Sequence, residues 1–271
     1  MREDQTVGRT AAGTEAPALP RLPPPPRLPG RARLGLWSAG CLALCGLVVL
    51  AVVATGSADA AVAALALPLS QLPGPLIRRI RLRHLGSTRR HRTLADDPAL
   101  AALASGLRPY GIRELTVRAG PTRGLAHAYR SGGRAVVLVH ESLLPHPEPA
   151  AFFLAHEIGH VVRHDSLRRP LVITTLLTCW LCGSLAAPLA AVGLVPVVLL
   201  IAAFNWTMEL DCDRIATRWA GPGAAERAMR VLQLAHRQSR RPAILARRLW
   251  LTHPPLALRL AVVRGAGGRT S

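Results

Sequence analysis

The sequence contains no lysine, so its 34 strongly basic side chains are all arginines. Aromatic residues make up only 4% of the chain, and just 15 residues are acidic, which leaves a formal net charge of +19. Five cysteines in 271 residues are too few, and odd in number, for a small disulfide-stapled domain. A hydrophobic content of 50% excludes a disordered chain. The arginine surplus leaves nucleic-acid binding open until the positions of the arginines are considered.

Two apolar runs follow a polar, proline-rich start. Residues 1–33 cannot bury enough surface to offset their ordering entropy, so we expect a disordered cytoplasmic arm. Leu34–Thr55 carries no charge and is long enough for a membrane helix. Ala60–Leu72 is shorter, so an interfacial or re-entrant segment is its alternative interpretation. Together these runs predict a membrane hairpin over residues 34–76.

A later apolar block spans Leu171–Trp206, 36 residues without one charged side chain. Gly183 and Pro188 lie near its middle, which favours a second membrane hairpin over residues 171–206. Cys179 and Cys182 form a C-x-x-C pattern inside this block. We interpret them as two packing thiols, because a metal or redox role needs polar, accessible surroundings.

The arginines lie beside these apolar runs. Six occur in the first 33 residues, and seven more fall between Arg78 and Arg92. Arginine-rich flanks prefer the cytoplasmic side of a membrane, and anionic lipid accounts for them without nucleic acid. The pattern predicts a multi-pass plasma-membrane protein with a cytoplasmic catalytic domain, and no nucleic-acid partner.

Residues 150–165 read AAFFLAHEIGHVVRHD and contain H-E-x-x-H at His156, Glu157 and His160. Residues four apart share one face of a helix, so both imidazoles can bind one metal ion. Glu157 is one position further round, where it can accept a proton from the attacking water. The motif predicts a zinc-dependent hydrolase with one Zn²⁺ per subunit.

A surface helix with incidental histidines is the alternative interpretation of this motif. The flanking residues are too apolar for a surface helix and predict a buried one: Phe152, Phe153, Leu154, Ile158, Val161 and Val162. Two imidazoles and a carboxylate would be costly in such a helix without a partner such as a metal.

A tetrahedral zinc site with two histidines needs a third protein ligand. After the second apolar block the chain reads WTMELDCDRIATRWA, in which Glu209 and Asp213 are four residues apart and share one helix face. We predict that Glu209 is the third ligand and that Asp213 orients a ligand imidazole. A solvated acidic face is the alternative for this pair.

Three motifs occur in a fixed order: HEIGHVVRHDSL, ELDCDRIA and THPPLALRL at Thr252–Leu260. With the apolar block between the first two, they resemble the HtpX-like membrane zinc metallopeptidases, which are related to the CaaX prenyl proteases. The resemblance covers roughly residues 90–262. It implies a gluzincin-type endopeptidase with a cytoplasmic site. The residues matching the family's zinc ligands and catalytic base are His156, His160, Glu209 and Glu157.

The resemblance extends to further residues. His253 matches a family histidine near the site and is expected to donate a hydrogen bond to the developing oxyanion, with an incidental histidine in a proline-fixed turn as the alternative. Arg259 matches a family arginine, for which an ion pair with Asp213 or Glu209 is the simpler interpretation. Cys212 stands where the family usually has alanine, and a buried inert thiol is favoured over a redox-sensitive one.

Residues 124–144 predict two short strands around a turn at Ser131-Gly132-Gly133. In the family a strand beside the zinc helix pairs with an extended substrate, which an edge strand recognises through its backbone. The predicted substrate edge strand consists of Ala126, His127, Ala128 and Tyr129.

The chain is thus predicted to be a mainly α membrane protein, with a helical zincin-type (gluzincin) catalytic domain, a small β-sheet and two transmembrane hairpins. Outside the two hairpins, the predicted segments are the arm at 1–33, the two catalytic parts at 77–170 and 207–262, and a flexible tail at 263–271.

The predicted function is hydrolysis of peptide bonds in membrane or membrane-proximal proteins, with a polypeptide substrate and the lipid bilayer as partners. One alternative is a sensor-transducer that resembles the antirepressor metallopeptidases of beta-lactam signalling, although the T-H-P segment favours the HtpX-like interpretation. Another is an inactive scaffold, which would not need Glu157.

Overall fold

The computed structural model describes residues 73–87, 92–93, 98–122, 124–186, 192–238 and 251–267, with isolated positions between 39 and 69. The predicted arm at 1–33 and most of the predicted hairpin at 34–76 therefore lie outside the described residues. Most of the two catalytic parts and most of the second apolar block lie within them.

Helices dominate the described residues, and a small sheet precedes the helices that carry the motifs. The helices are α1 (Pro73–Ser87), α2 (Pro98–Gly106), α3 (Pro147–Val162), α4 (Asp165–Ala186), α5 (Leu194–Ala220), α6 (Pro222–Gln238) and α7 (Leu256–Gly267). The strands are β1 (Arg92–Thr93), β2 (Glu114–Gly120), β3 (Ala126–Ser131) and β4 (Arg134–His140). Short 3-10 turns cover Arg108–Tyr110 and Glu141–Leu143. The mainly helical fold with a small sheet is confirmed.

The sheet has the strand order β1-β2-β4-β3, so β3 is an edge strand. β2 runs parallel to β4, and β3 pairs with β4 in antiparallel register, with Ala126 opposite Val139. Gly132, with φ 59°, turns the chain between these two strands, a conformation that glycine adopts without a steric penalty. The predicted strand pair around residues 131–133 is thereby confirmed.

Both faces of β4 are covered, which explains its unbroken apolar sequence. Val137 and Val139 face the main core beside α3 and are 0% and 1% exposed. Val136 and Leu138 face the opposite way and pack with Leu82 of α1. The sheet therefore lies between α1 and the helices of the catalytic core.

The helix α3 carries the H-E-x-x-H motif through the centre of the molecule. Pro147 near its start supplies a preset backbone angle, and Glu148 in the first turn interacts favourably with the helix dipole. The helix ends before His164, whose φ of 55° is in the left-handed region. Its apolar side chains pack against the sheet and against α5 and α6, so the predicted buried helix is confirmed.

The second apolar block forms parts of two helices that pack against each other, α4 and α5. Residues 187–191, between them, lie outside the described residues. Only α5, among the described helices, is long and apolar enough to cross a membrane. Both helices continue into polar sequence: α4 begins at Asp165, and α5 extends to Ala220.

The last helix, α7, packs against α5 and α6. Val263 and Ala266 on this helix are buried. Because α7 continues to Gly267, the first five residues of the segment expected to be a flexible tail, 263–271, are helical. The reason is that these side chains complete the core between the helices, which local sequence does not reveal.

Candidate active site

The two histidines of the motif face α5 from one side of α3. The Nε2 atoms of His156 and His160 lie 3.2 Å apart, as the i, i+4 spacing requires. His156 is 4% exposed, and His160 is partly accessible. Glu157 follows His156 on the same helix and is half-buried.

Glu209 projects from α5 towards both imidazoles. Its Oε2 lies 3.6 Å from His156 Nε2, and its Oε1 lies 3.6 Å from His160 Nε2. The fold thus brings Glu209 next to two histidines that lie 49 and 53 positions before it in the chain. One nitrogen or oxygen atom from each of the three lies within 4.8 Å of the others.

Each imidazole has a carboxylate behind it. His160 Nδ1 is hydrogen-bonded to Asp165 Oδ2 at 2.8 Å, and His156 Nδ1 lies 2.9 Å from Asp213 Oδ1. The His156 contact is an ion pair, because the ring nitrogen is not aligned for a hydrogen bond. Both contacts favour a proton on Nδ1, which leaves the lone pairs of the Nε2 atoms directed at the space beside Glu209.

Asp165 is a site residue that the sequence analysis did not identify. It is 5% exposed and begins α4, directly after the left-handed residue His164. That conformation reverses the chain so that Asp165 comes back to His160. Its acidic side chain in an arginine-rich segment could have marked it as a candidate. Its approach to His160, however, depends on the backbone conformation of His164, which the sequence does not show.

Glu209 has a basic partner at each oxygen. Arg169 donates a hydrogen bond to Oε1 at 3.0 Å, and His253 Nδ1 lies 3.0 Å from Oε2. The His253 side chain is 47% exposed, so the group of ligands is open to solvent on that side. His253 therefore lies at the edge of the candidate ligand group, and its catalytic role stays a prediction. Arg169 was not anticipated, since it is one of many arginines in the sequence.

Arg259 and Asp213 form a buried bidentate ion pair between α7 and α5. Arg259 Nε and Nη2 donate to the two carboxylate oxygens of Asp213, each at 2.7 Å. Burial opposes the charge on Arg259, but the hydrogen bonds and charge of Asp213 outweigh it and raise the arginine pKa. Of the two ion pairs expected for Arg259, the structure contains the one with Asp213.

The pKa of His156 is raised from its ordinary 6.5 to about 10. Burial alone would lower the pKa, and the carboxylates of Asp213 and Glu209 outweigh that effect. Without a bound metal this imidazole would therefore carry a second proton, on Nε2, at neutral pH, and metal binding at Nε2 would require its release.

Cys212 lies on α5, on the far side of the His160 ring. Its sulfur is 3.5 Å from His160 Nδ1, and a Cβ on Gly159 would lie 3.2 Å from it. The side chain is 0% exposed. Complete burial favours the packing role expected for this thiol over the redox role.

The four residues of the predicted substrate edge occupy most of β3. Among the described strands, β3 pairs only with β4, so the backbone groups of its other edge are available to an extended peptide. Ala126 and Ala128 face the core on the side of α3, and His127 and Tyr129 face the opposite way. The rings of His127 and Tyr129 meet in an edge-to-face arrangement, with their centroids 5.1 Å apart.

The donor set fits a zinc ion. Tetrahedral zinc with bonds of about 2.0–2.1 Å holds its nitrogen and oxygen ligands roughly 3.3–3.4 Å apart. The two Nε2 atoms lie 3.2 Å apart, and each lies 3.6 Å from a different oxygen of Glu209, Oε2 for His156 and Oε1 for His160. One donor atom from each of the three residues lies within 4.8 Å of the others. Two neutral imidazoles and a carboxylate are also ligands that zinc accepts, and both imidazoles have the outer carboxylates common at such sites.

Helical packing around an H-E-x-x-H motif, with a glutamate from a second helix, defines a metallopeptidase class of site. A model of peptidase family M48 matches residues 114–266, more than half of the chain. The protein belongs to peptidase family M48, the family of HtpX and the CaaX prenyl proteases. Searches of curated proteins and of solved structures find no match. Membership implies metallopeptidase activity and the use of a metal, typically zinc.

Proposed function

We propose that this protein is a zinc-dependent endopeptidase of a membrane, which hydrolyses peptide bonds of membrane or membrane-proximal proteins. The convergence of His156, His160 and Glu209, with a base candidate at Glu157, is the observation that carries the proposal. His156, His160 and Glu209 would hold one zinc ion. When bound, zinc lowers the pKa of a water to about 7 and polarises the peptide carbonyl.

The protein's own residues would supply the remaining chemistry. Glu157 accepts the proton of the attacking water and passes it to the leaving nitrogen, a role for which a half-buried carboxylate next to the ligands is suited. His253, at the exposed rim of the site, donates a hydrogen bond to the oxyanion that develops on the substrate carbonyl.

The remaining polar residues hold this arrangement in place. Asp165 and Asp213 orient the two imidazoles, and Arg259 neutralises Asp213. The free side of β3 aligns an extended substrate through backbone hydrogen bonds, which gives little side-chain selectivity.

Exposed apolar surface supports the membrane part of the proposal. In the apolar portion of α5 only 22% of the residues are buried, unlike the core helix of a soluble protein. The exposed side chains include Val195, Leu199 and Leu200. The arginine distribution supports a cytoplasmic catalytic domain in the plasma membrane.

The decisive experiment compares wild type with Glu157→Gln in detergent, using an unfolded casein-type substrate and measured zinc content. We expect one zinc per chain in both proteins and a loss of kcat of about 10²–10⁴-fold in the variant, the usual contribution of a general base. Glu148→Gln is the matched control, since Glu148 lies on the same helix at an exposed position. Full proteolysis by Glu157→Gln, or equal zinc content in wild type and His160→Ala, would refute the proposal.

A further inference from the structure

The helix α1 carries exposed apolar side chains on the face turned away from the protein. Leu76, Ile77 and Ile80 are 61%, 49% and 56% exposed, whereas Leu82 is buried against the sheet. At 100° per residue, the three exposed side chains occupy one arc of the helix, roughly opposite Leu82. Three large apolar side chains on one exposed arc form an apolar patch, and such patches mark sites of interaction with a protein or a membrane.

Basic side chains border one side of this arc. Arg79 and Arg83 are both exposed and lie between the apolar arc and the side that packs on the sheet. An apolar stripe bordered by arginines is suited to the boundary between lipid tails and anionic headgroups, where the arginine stems reach the headgroups. The apolar run Ala60–Leu72 also ends one residue before α1 begins, which keeps this helix next to the proposed membrane segment.

We propose that α1 lies in the membrane interface and docks the protein on anionic phospholipid. Leu76, Ile77 and Ile80 enter the boundary of the acyl chains, and Arg79 and Arg83 bind the phosphate groups. Because α1 packs against β3, it sets the edge strand about one helix diameter, roughly 10 Å, from the lipid surface. If β3 binds substrate, which rests on the proposed function, the preferred segments are those that emerge next to the membrane.

The test measures depth and needs no activity. The full chain, with its native cysteines replaced, is labelled with a fluorophore at Ile80→Cys and placed in nanodiscs of phosphatidylcholine with phosphatidylglycerol. Glu226→Cys, at an exposed position on α6, is the matched control. We expect iodide to quench the label at position 80 several-fold less than the label at 226, and spin-labelled lipid to quench only the former.

Charge dependence is tested on the same labelled protein. The double substitution Arg79→Gln and Arg83→Gln should reduce quenching by spin-labelled anionic lipid, whereas Arg134→Gln, on the exposed end of β4, should not. Equal iodide quenching at 80 and 226 would overturn the proposal. Protection from iodide without lipid quenching would also overturn it, since protein would then cover the helix.

A separate observation concerns Asn205, which is 2% exposed in the apolar half of α5. Its Nδ2 donates a hydrogen bond to the carbonyl oxygen of Leu251 at 3.0 Å. Its Oδ1 has no hydrogen-bond partner among the described residues. Burying an amide side chain in an apolar helix costs free energy. The hydrogen bond from Asn205 to Leu251 therefore indicates that Asn205 has a role in holding the segment before His253.

Asn205 and Glu209 are four residues apart, so they attach the T-H-P segment at two successive turns of one helix face. Asn205 binds Leu251, and Glu209 binds His253 two residues later. We infer that Asn205 is a positioning residue that holds His253 at the site. The catalytic consequence rests on the proposed function, because it requires His253 to act on the substrate.

A double-mutant cycle tests this inference. His253→Ala should lower kcat by about 10²–10³-fold, as expected for loss of an oxyanion donor, and Asn205→Ala should lower it by a smaller factor. If Asn205 acts through His253, the double variant should be no slower than His253→Ala. Losses that multiply would overturn the inference.

Hydrogen exchange separates this inference from the proposed function. In Asn205→Ala the amides of residues 251–253 and of Leu256 should exchange faster, and in Thr207→Ala, an exposed neighbour on the same helix, they should not. Unchanged exchange in Asn205→Ala would refute the anchoring role. Absence of peptidase activity in wild type would instead refute the proposed function.

Discussion

Each motif histidine uses one ring nitrogen for the candidate metal site and the other for a carboxylate. For His160 that carboxylate is Asp165, and for His156 it is Asp213. These contacts hold the rings with their Nε2 atoms towards Glu209, which is the orientation that coordination of one metal ion requires. We therefore expect both aspartates to contribute to metal affinity, although neither belongs to the H-E-x-x-H motif.

Replacement of Asp165 by asparagine should therefore weaken zinc binding. The neutral amide makes His160 a poorer donor to the metal, and loss of such a partner typically costs 10–100-fold in metal affinity. Competition with a chromogenic chelator measures the change. Glu114→Gln is the control, because Glu114 is an exposed carboxylate on β2 that pairs with Arg134 and not with a motif histidine. Equal affinities for both variants would contradict the assigned role.

The raised pKa of His156 predicts a pH effect on the metal-free protein. With a folded-state pKa of about 10 against 6.5, the protonated imidazole stabilises the fold fully below pH 6.5. This contribution to the free energy of unfolding is lost as pH rises towards 10. Chelator-treated protein should show the decline in denaturant titrations, and His156→Gln should show a smaller one. Zinc affinity should rise over the same interval, because zinc binds the neutral ring.

At the level of single residues, chemistry that depends on spacing could be predicted from the sequence. His156 and His160 share a face because they are four apart on a helix, and the same rule pairs Glu209 with Asp213. Asp165 and Arg169 could not be identified in this way. Their roles depend on the reversal at His164 and on the packing of α4 beside α5, which no local rule specifies.

Among the secondary-structure elements, the edge strand and the motif helix are joined by Arg130. This side chain is 4% exposed and donates to the carbonyl oxygens of Val161 on α3, Tyr110 and Gly132. The contact with Val161 ties β3 to the last turn of α3. The spacing between a bound substrate strand and the candidate metal site is thereby restrained.

Substitution of Arg130 by methionine should destabilise the protein. Buried carbonyls lose their charged donor, which corresponds to a loss of about 2–4 kcal/mol in the free energy of unfolding. Equilibrium unfolding in detergent measures it. Arg134→Met, at the exposed start of β4, should change stability by less than about 1 kcal/mol, since its ion pair with Glu114 is on the surface. Similar values for both variants would show that the buried contacts contribute little.

The strand pair could be predicted from the sequence, because glycines at a turn beside an apolar run are a local pattern typical of two paired strands. The second apolar block was harder to interpret. Its length predicted a hairpin confined to residues 171–206, whereas α4 and α5 extend beyond both ends and carry Asp165 and Glu209 on their polar parts. A hydropathy pattern marks where charge is absent, and it does not mark where a helix ends.

For the whole molecule, the proposed topology places the sheet and the motif helices in the cytoplasm. A cysteine introduced at Glu226 in a cysteine-free full-length chain should react with a membrane-impermeant maleimide in inverted vesicles and not in intact cells. Glu114→Cys, at the exposed start of β2, should behave identically. Labelling of either position in intact cells would reverse the proposed orientation.

The sequence alone determined the candidate chemistry and predicted a membrane placement, because both inferences depend on residue type and local spacing. A histidine pair at helical spacing, a following glutamate, long uncharged runs and flanking arginines need no tertiary information. The tertiary structure decided how these parts meet. It brought Glu209, Asp165 and His253 around His156 and His160, buried Arg259 against Asp213 and left β3 at the edge of the sheet. All of these contacts except that of Asp165 join residues forty or more positions apart, and they depend on how whole elements pack around the complete core. The contact of Asp165 with His160 depends on the chain reversal at His164.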